Sequence, residues 1–405
     1  MRVLHVIPSL ASRTGGPAAS VVESSLALQR CGVDVTIFAT DMAEAASSRT
    51  HERATQDDLP AGARDLNVRL FPARWPYRLA YSPAMRRALD IDVQRYDVVH
   101  VHSLFLYPQY AAYRSAYAAH VPYVVSPRGA LDPFLRQRGR VVKAAADVLW
   151  QRSMLCGAAA LHVTSDEEAR LTADVAPGVP RHVVSNGIRW DEYQSLGSGA
   201  GFRSRYLGGS NDPLVMYLGR ISHKKGLDVL IRAFAIVLRD VSPARLAIVG
   251  PDDEGLAPRL VELARAEGVG ERVVFTGMVR GDDKLDALAA ADVWALPSHS
   301  ENFGNAVAEA LAAGVASVIS PGVNIAPEIG AAGAAVVAPL SVEALAREIS
   351  AQLRDDAGRA ALGERARAFA RRYDWDVVGP RLAAMYESIV EEAHGRAGSE
   401  ARLCA

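Results

Sequence analysis

The 405-residue sequence predicts an α/β protein built from two Rossmann-like, doubly wound parallel-sheet domains. Three observations predict it. Short β-branched runs alternate with longer helical patterns along the whole chain. Most of those runs are continuously apolar, the pattern of strands covered by helices on both faces. The length also exceeds one ordinary core and suits two domains of roughly 200 residues each.

The strand-like runs are Val3–Ile7, Asp34–Ala39, Val98–Val101, Tyr123–Ser126, Leu161–Thr164, Leu214–Leu218, Leu246–Val249, Val273–Phe275, Val293–Leu296 and Ala316–Ser320. Glycine-rich stretches at Leu196–Gly201 and Gly208–Pro213 mark the break between domains. The expected division is an N-terminal domain over 1–190, a linker over 191–212 and a C-terminal domain over 213–375. Ligands of such sheets bind beyond the C-terminal ends of the strands, so two facing domains are expected to enclose a cleft. Residues 376–395 read as a last amphipathic helix capped by Asp374 or Asp376, with Val377, Val378, Leu382, Met385, Ile389 and Val390 at helical spacing. Packing on the C-terminal domain is one place for that apolar stripe.

Half of the residues are hydrophobic, 22% are charged and the formal net charge is −1. That balance excludes a disordered chain and shows no basic excess for a nucleic-acid partner. The cysteines, Cys31, Cys156 and Cys404, lack metal-like spacing and fit a reducing compartment. The apolar start Val3–Ile7 is interrupted by His5 and stopped by Pro8, too short for a signal-peptide core. No window approaches the ~20 apolar residues of a spanning helix. The expected location is the cytoplasm, at most peripheral to the membrane. A basic stretch with an apolar stripe, 135–155, has the composition of an interfacial helix as well as of an ordinary surface helix.

The stretch from Glu301 to Glu309 offers the densest chemistry. A strand ends at Pro297, a polar turn follows, and a helix begins near Gly304. The free amides of that helix start would lie at the strand's C-terminal edge, where a diphosphate can bind. Gly304 permits close backbone approach. Glu301 before the helix and Glu309 inside it can each accept bonds from a vicinal diol; complementing the helix dipole and facing solvent are the alternatives. About eighty residues earlier, Gly219-Arg220-Ile221-Ser222-His223-Lys224-Lys225-Gly226 also follows a strand and opens a helix. Arg220 and Lys225 could there neutralise a diphosphate, with Lys224 the alternative lysine.

Other residues bear weighing. His102 ends a buried strand beside Ser103, a position open to a structural or a catalytic role, whereas His100 is read as structural. Arg128, after the strand Tyr123–Ser126, could bind an acidic acceptor or form an ion pair. Two D-x-D triplets, Asp90–Asp92 and Asp374–Asp376, lie at helix ends instead of after a strand at the ligand edge, so no metal is expected.

The ordered set Gly219-Arg220 to Lys225-Gly226, Phe275-Thr276-Gly277, Pro297-Ser298 and Glu301-x7-Glu309 resembles the consecutive signatures of glycosyltransferase family 4, retaining enzymes of the GT-B fold. Gly15-Gly16 after the first strand, Asp97–His102, Asn186-Gly187-Ile188 and Tyr373–Trp375 agree with it, so the resemblance covers nearly the whole chain. The loop Ser320–Glu328 is longer and less glycine-rich than the family's turn before its glutamate.

The resemblance implies that the last helix returns to the N-terminal domain. It implies that Glu301 binds donor-sugar hydroxyls, that Phe303, Gly304 and Asn305 supply amides, and that Glu309 holds the ribose. Arg220 and Lys225 would stabilise the departing diphosphate. Backbone at Gly219, Gly277 and Met278 would serve the nucleotide and its base, Gly16 its phosphate, and His102 would sit over the reacting sugar. Gly15 and Arg128 are candidates for the acceptor. The implied activity is retaining transfer from a nucleoside-diphosphate sugar, with UDP or GDP as carrier and no further cofactor. The acceptor would be a glycan or lipid-linked hydroxyl in surface polysaccharide or glycolipid assembly. A sugar-nucleotide epimerase or hydrolase and a non-catalytic nucleotide-sugar binder are the alternatives. A nicotinamide dehydrogenase lacks its G-x-G-x-x-G fingerprint, since Ser9–Ala18 supplies only Gly15-Gly16.

Overall fold

A computed structural model describes residues 1–43, 52–136 and 140–403. They form two compact units, one of Met1–Gly187 with Trp375–Ala405 and one of Ile188–Asp374.

The first unit is built on β1 (Arg2–Ser9), β2 (Asp34–Thr40), β3 (Asn67–Phe71), β4 (Val98–His102), β5 (Tyr123–Ser126), β6 (Ala160–Val163) and β7 (Arg181–Val183). Their order is β3-β2-β1-β4-β5-β6-β7, and each neighbouring pair is parallel. Both faces are covered, which is why the strands read as unbroken apolar runs. Leu4, Val6, Val99 and Val101 pack on Met85, Leu89 and Ala112, while Val3, Ile7 and Val98 pack on Val21, Val22 and Leu28. The second face also receives the last helix, Trp375–Leu403, through Val378, Leu382, Met385, Tyr386 and Ile389. That spacing is one helical stripe. The stripe therefore belongs to the first unit and not to the second, and Val377 points outward with 41% exposure.

The second unit holds β8 (Leu214–Leu218), β9 (Arg245–Val249), β10 (Val273–Gly277), β11 (Val293–Leu296), β12 (Ala316–Ile319) and β13 (Val336–Val337) in the order β10-β9-β8-β11-β12-β13. All neighbours are again parallel. Trp294 and Tyr217 are among the largest fully buried side chains of its core. Residues 191–212, which composition marks as a linker, are folded into this unit. A helix over Ala200–Leu207 buries Phe202 and Leu207, and the Phe202 amide donates to the Asp286 carboxylate.

Three strands escape the sequence reading: β3, β7 and β13. All three are sheet edges, and β3 alternates exposed and half-buried residues before the buried Phe71, while β13 has only two residues. Of the basic stretch 135–155, residues 137–139 and the side chains of 135–142 lie outside the described residues. Val148 and Leu149 beyond it are exposed. Cys404 also lies outside the described residues. No described helix is long and apolar enough to cross a membrane.

Candidate functional site

In the second sheet the chain reverses its winding between β8 and β11, and the loops after those two strands meet at this switch point, where open α/β sheets bind ligands. The Lys224 carbonyl joins them, accepting from Ser298 Oγ at 3.0 Å and from the His299 amide at 2.7 Å. Gly226 makes the contact possible. Its φ is +64°, and a Cβ there would stand 2.1 Å from the Pro297 carbonyl oxygen. The docked backbone brings Lys225 onto Glu301, Nζ donating to Oε2, with Lys224 Nζ 3.9 Å from the same oxygen. Both lysines thus serve one carboxylate, and Lys225 is the one bonded to it. Burial alone would raise the Glu301 pKa; Lys225, then Lys224 and Arg220 outweigh it and hold the carboxyl down at about 2.

Glu301 also anchors the loop after β12. Its amide donates to the Gly322 carbonyl at 2.8 Å, and its carbonyl accepts from the Asn324 amide at 2.9 Å. The Ser320–Glu328 loop, for all its length, is therefore tied to the candidate site. The helix Asn305–Ala312 starts immediately after the Glu301 turn, on Gly304 at φ +76°, an N-cap with no side chain of its own to bond its first amides. A side chain at Gly304 would crowd Glu301 Cγ at 3.0 Å. Phe303 is buried with its ring edge-on to Tyr373 at 5.1 Å, so only its backbone can serve a ligand.

Glu309, one turn into that helix, faces Lys284. Nζ of Lys284 lies 3.1 Å from Glu309 Oε1 and 3.4 Å from Tyr193 Oη. Burial disfavours the Lys284 charge, yet Glu309 and Tyr193 more than compensate and raise its pKa. Arg220 reaches Asp253 at 3.3 Å, and His223 Nδ1 lies 2.7 Å from Glu254. Sequence reasoning missed Lys284, Asp253 and Glu254. The turn Gly250-Pro251-Asp252-Asp253-Glu254-Gly255, directly after a strand, was the available signal for the two acids. Gly219 follows β8 and Gly277 ends β10, and the Gly250 amide donates to the Gly277 carbonyl at 2.9 Å. Gly277 and Met278 sit on the outer strand, two strands from β8, and Met278 Sδ lies 2.9 Å from Arg280 Nε.

The first unit has its own switch point, between β1 and β4. Gly15 and Gly16 start the helix Gly16–Arg30 beyond β1, and His102 closes β4. His102 is buried, with Nδ1 3.2 Å from Arg128 Nη2 and Nε2 3.3 Å from His5 Nδ1. Arg128 donates its other arm to Asn186 Oδ1 at 2.8 Å, and no carboxylate among the described residues forms an ion pair with it. Ser103, Phe105 and Arg128 all carry positive φ, +69°, +69° and +55°. Non-glycine residues held there cost of order 1–3 kcal/mol each and gather at functional sites. The structure thus brings His102 and Arg128 together at one sheet edge. The D-x-D acids are otherwise engaged: Asp90 accepts from Arg86 and Ser115, Asp92 from Arg69, and Asp376 lies 3.5 Å from Arg30.

Comparison with known proteins agrees with this division of the chain. Residues 203–369 match the family model of glycosyl transferases group 1, and residues 15–187 match the glycosyl transferase 4-like domain. The D-inositol 3-phosphate glycosyltransferase of Xylanimonas cellulosilytica is 28% identical over 94% of this chain and 94% of that protein. Its counterpart in Nocardia farcinica is 32% identical over 61% of this chain and 57% of that protein. Among solved structures, Anabaena HepE in complex with UDP and glucose matches with a TM-score of 0.76 at 19% identity, over 96% of this chain and 100% of that one. WaaG, a glycosyltransferase involved in lipopolysaccharide biosynthesis, matches with a TM-score of 0.70 at 18% identity, over 95% and 99%. With both units matched, and with the fold they share, the chain belongs to the group 1, family 4-like glycosyltransferases of the GT-B fold.

Proposed function

We propose that the chain transfers a sugar from a nucleoside-diphosphate sugar to an acceptor hydroxyl with retention of anomeric configuration. The observation that carries this reading is the pair of lysine–glutamate contacts, Lys225–Glu301 and Lys284–Glu309, on either side of a helix start whose N-cap is Gly304, at a sheet switch point. Such a site offers amides and cations to a diphosphate and fixed carboxylates to hydroxyls. In this account Glu301 accepts from sugar hydroxyls and Glu309 from the ribose. Lys225 and Arg220 hold the diphosphate.

Transfer breaks the bond between the sugar's anomeric carbon and the β-phosphate oxygen. A bond from the acceptor oxygen forms on the same face. The acceptor proton passes to the leaving phosphate oxygen, so the products are the glycosylated acceptor and the nucleoside diphosphate. Lys225, Arg220 and the amides at Gly304 and Asn305 stabilise the negative charge as it develops, an effect of about 3–4 kcal/mol for a single well-placed donor. Glu301, bonded to Lys225, acts here as a hydrogen-bond acceptor and not as a nucleophile.

UDP is the carrier we favour over GDP, because the HepE complex contains UDP and glucose. Within the first unit, Gly16, His102 and Arg128 are the residues we propose to face a ligand. Arg128, which forms no ion pair with a carboxylate among the described residues, suits an acceptor bearing a phosphate or carboxylate, and the relatives named for D-inositol 3-phosphate support that chemistry. Surface polysaccharide or glycolipid assembly at the cytoplasmic side of a membrane is the context we propose, in keeping with WaaG.

The test is acceptor dependence. Full-length protein is incubated with UDP- and GDP-sugars, with and without phosphorylated polyols and glycans, and products are separated chromatographically. Transfer only when acceptor is present supports the reading. Epimerised or hydrolysed donor without acceptor, at rates no acceptor increases, would replace it with an epimerase or hydrolase.

A further inference from the structure

The first sheet carries four buried imidazoles on one face: His5 on β1, His100 and His102 on β4, and His162 on β6. Register alone sets His5 directly opposite His100. Tyr386 of the last helix lies over them, with its hydroxyl 2.6 Å from His100 Nδ1 and 3.2 Å from His5 Nε2. The contacts use every ring nitrogen once. His102 Nδ1 meets Arg128 and its Nε2 meets His5 Nδ1. His100 Nε2 lies 3.4 Å from His162 Nδ1, and His162 Nε2 lies 2.8 Å from the Val184 carbonyl.

The two ends of this series fix every proton between them. Arg128 can only donate, so His102 Nδ1 accepts and its proton sits on Nε2. His102 then donates to His5 Nδ1, and His5 donates through Nε2 to the Tyr386 oxygen. Tyr386 donates to His100 Nδ1, and His100 donates through Nε2 to His162 Nδ1. His162 ends the series by donating to the Val184 carbonyl, which can only accept. Working back from Val184 gives the same answer. An added proton on any ring would set two donors against each other.

We propose that Arg128, His102, His5, Tyr386, His100 and His162 form one directional hydrogen-bond chain in which all four imidazoles are neutral Nε2–H tautomers, and that Tyr386 and His5 are positioning residues holding His102 against Arg128. Burial and the Arg128 charge act in the same sense, lowering His5 and His162 to about 3 and His100 and His102 well below the usual value. The other charged or titratable groups nearby are Glu168, bound to the Gly129 amide and to Thr164, and His182, which disfavours a charge on His162. The His5, His100 and His102 nitrogens lie within 4.8 Å of one another, but each ring nitrogen already has a partner and Arg128 adds positive charge. A cation does not fit that arrangement.

The chain has a consequence for recognition. Its hydrogen-bond partners for the guanidinium, His102 and Asn186, are neutral, and Glu168 favours the Arg128 charge without an ion-pair contact, so that charge stays available to an anionic group on the acceptor. That consequence rests on the proposed role of Arg128; the tautomers do not.

The experiment is long-range 1H–15N correlation on full-length protein labelled at histidine, followed by Tyr386→Phe. The chain requires four of the ten histidines to show the neutral Nε2–H pattern from pH 8 down to 5. Tyr386→Phe should shift the His5, His100 and His102 signals and raise KM for the acceptor by about three- to tenfold, a typical effect of one lost hydrogen bond. Donor affinity should stay within about twofold. An Nδ1–H pattern or a titration near 6.5 in any of the four overturns the chain, as does stoichiometric zinc uptake that moves their signals. An unchanged acceptor KM in Tyr386→Phe overturns the positioning role. The wild-type spectrum decides the tautomers even if the variant fails to fold. The expected spectrum in a protein with no acceptor-dependent transfer supports the chain and rejects the transferase reading.

Discussion

Lys225 and Glu301, 76 residues apart in sequence, are hydrogen-bonded at the switch point of the second sheet. The Lys224 carbonyl that receives Ser298 and His299 sets their approach, so the pair is a product of backbone docking before it is one of charge. Around it lie the start of the Asn305 helix and the loop after β12.

Replacing Lys225 by Ala should lower kcat for transfer by about 10²–10³, the usual loss for one donor on a developing oxyanion. Steady-state assays at saturating donor check this, and a change below about threefold would remove Lys225 from the transition state. Circular dichroism should show an unaltered fold.

The pair also makes stability depend on pH. Glu301 is held at about 2 against an ordinary 4.5, so the folded state binds its proton less readily than the unfolded chain. The stabilisation is complete above pH ~4.5, is lost as pH falls toward ~2, and amounts to about 3 kcal/mol in order of magnitude. Urea unfolding of wild type and Glu301→Gln between pH 7 and 2.5 isolates it. The gap between the two proteins should shrink as pH falls; a constant gap would contradict the coupling.

Gly226→Ala should destabilise the protein by about 3 kcal/mol, because φ is +64° and the new Cβ would meet the Pro297 carbonyl. Thermal unfolding measures the loss. A variant as stable as wild type would mean that the two loops do not dock as described.

Lys284 is assigned to fixing Glu309. Lys284→Met should weaken nucleoside-diphosphate binding by about tenfold, within the range of one lost charge-assisted bond, with little effect on kcat at saturation. Titration calorimetry reads the affinity, and unchanged binding would leave the pair a purely structural one.

The interior strands, and with them both loops of the candidate site, were legible in the sequence because strands buried on both faces must be apolar throughout. Three of the four edge strands were not. Arg69 and Asn67 on β3 reflect solvent and not a core, and on β7 the half-buried Arg181 serves the backbone carbonyls of Thr172, Ala176 and Val179. Glu301, Lys225 and Glu309 could be singled out because helix starts after strands are legible. Lys284 could not, for it sits in a helix with no motif of its own; the turn after β9 marks Asp253, but only the structure pairs it with Arg220. The histidine chain was less legible still. His100 and His102 share a strand face in any reading, but His5, His162 and Tyr386 join them only through sheet register and the return of the last helix, Tyr386 lying 286 residues from His100.

The central claim is that the second unit holds a nucleoside diphosphate between Lys225, Glu309 and the start of the Asn305 helix. Calorimetric titration of the full chain with UDP and with GDP tests it most directly. The account predicts one-to-one binding of at least one of them, weakened about tenfold or more in both Lys225→Ala and Glu309→Gln. Absence of binding by either nucleotide, or equal affinity in wild type and both variants, would contradict it.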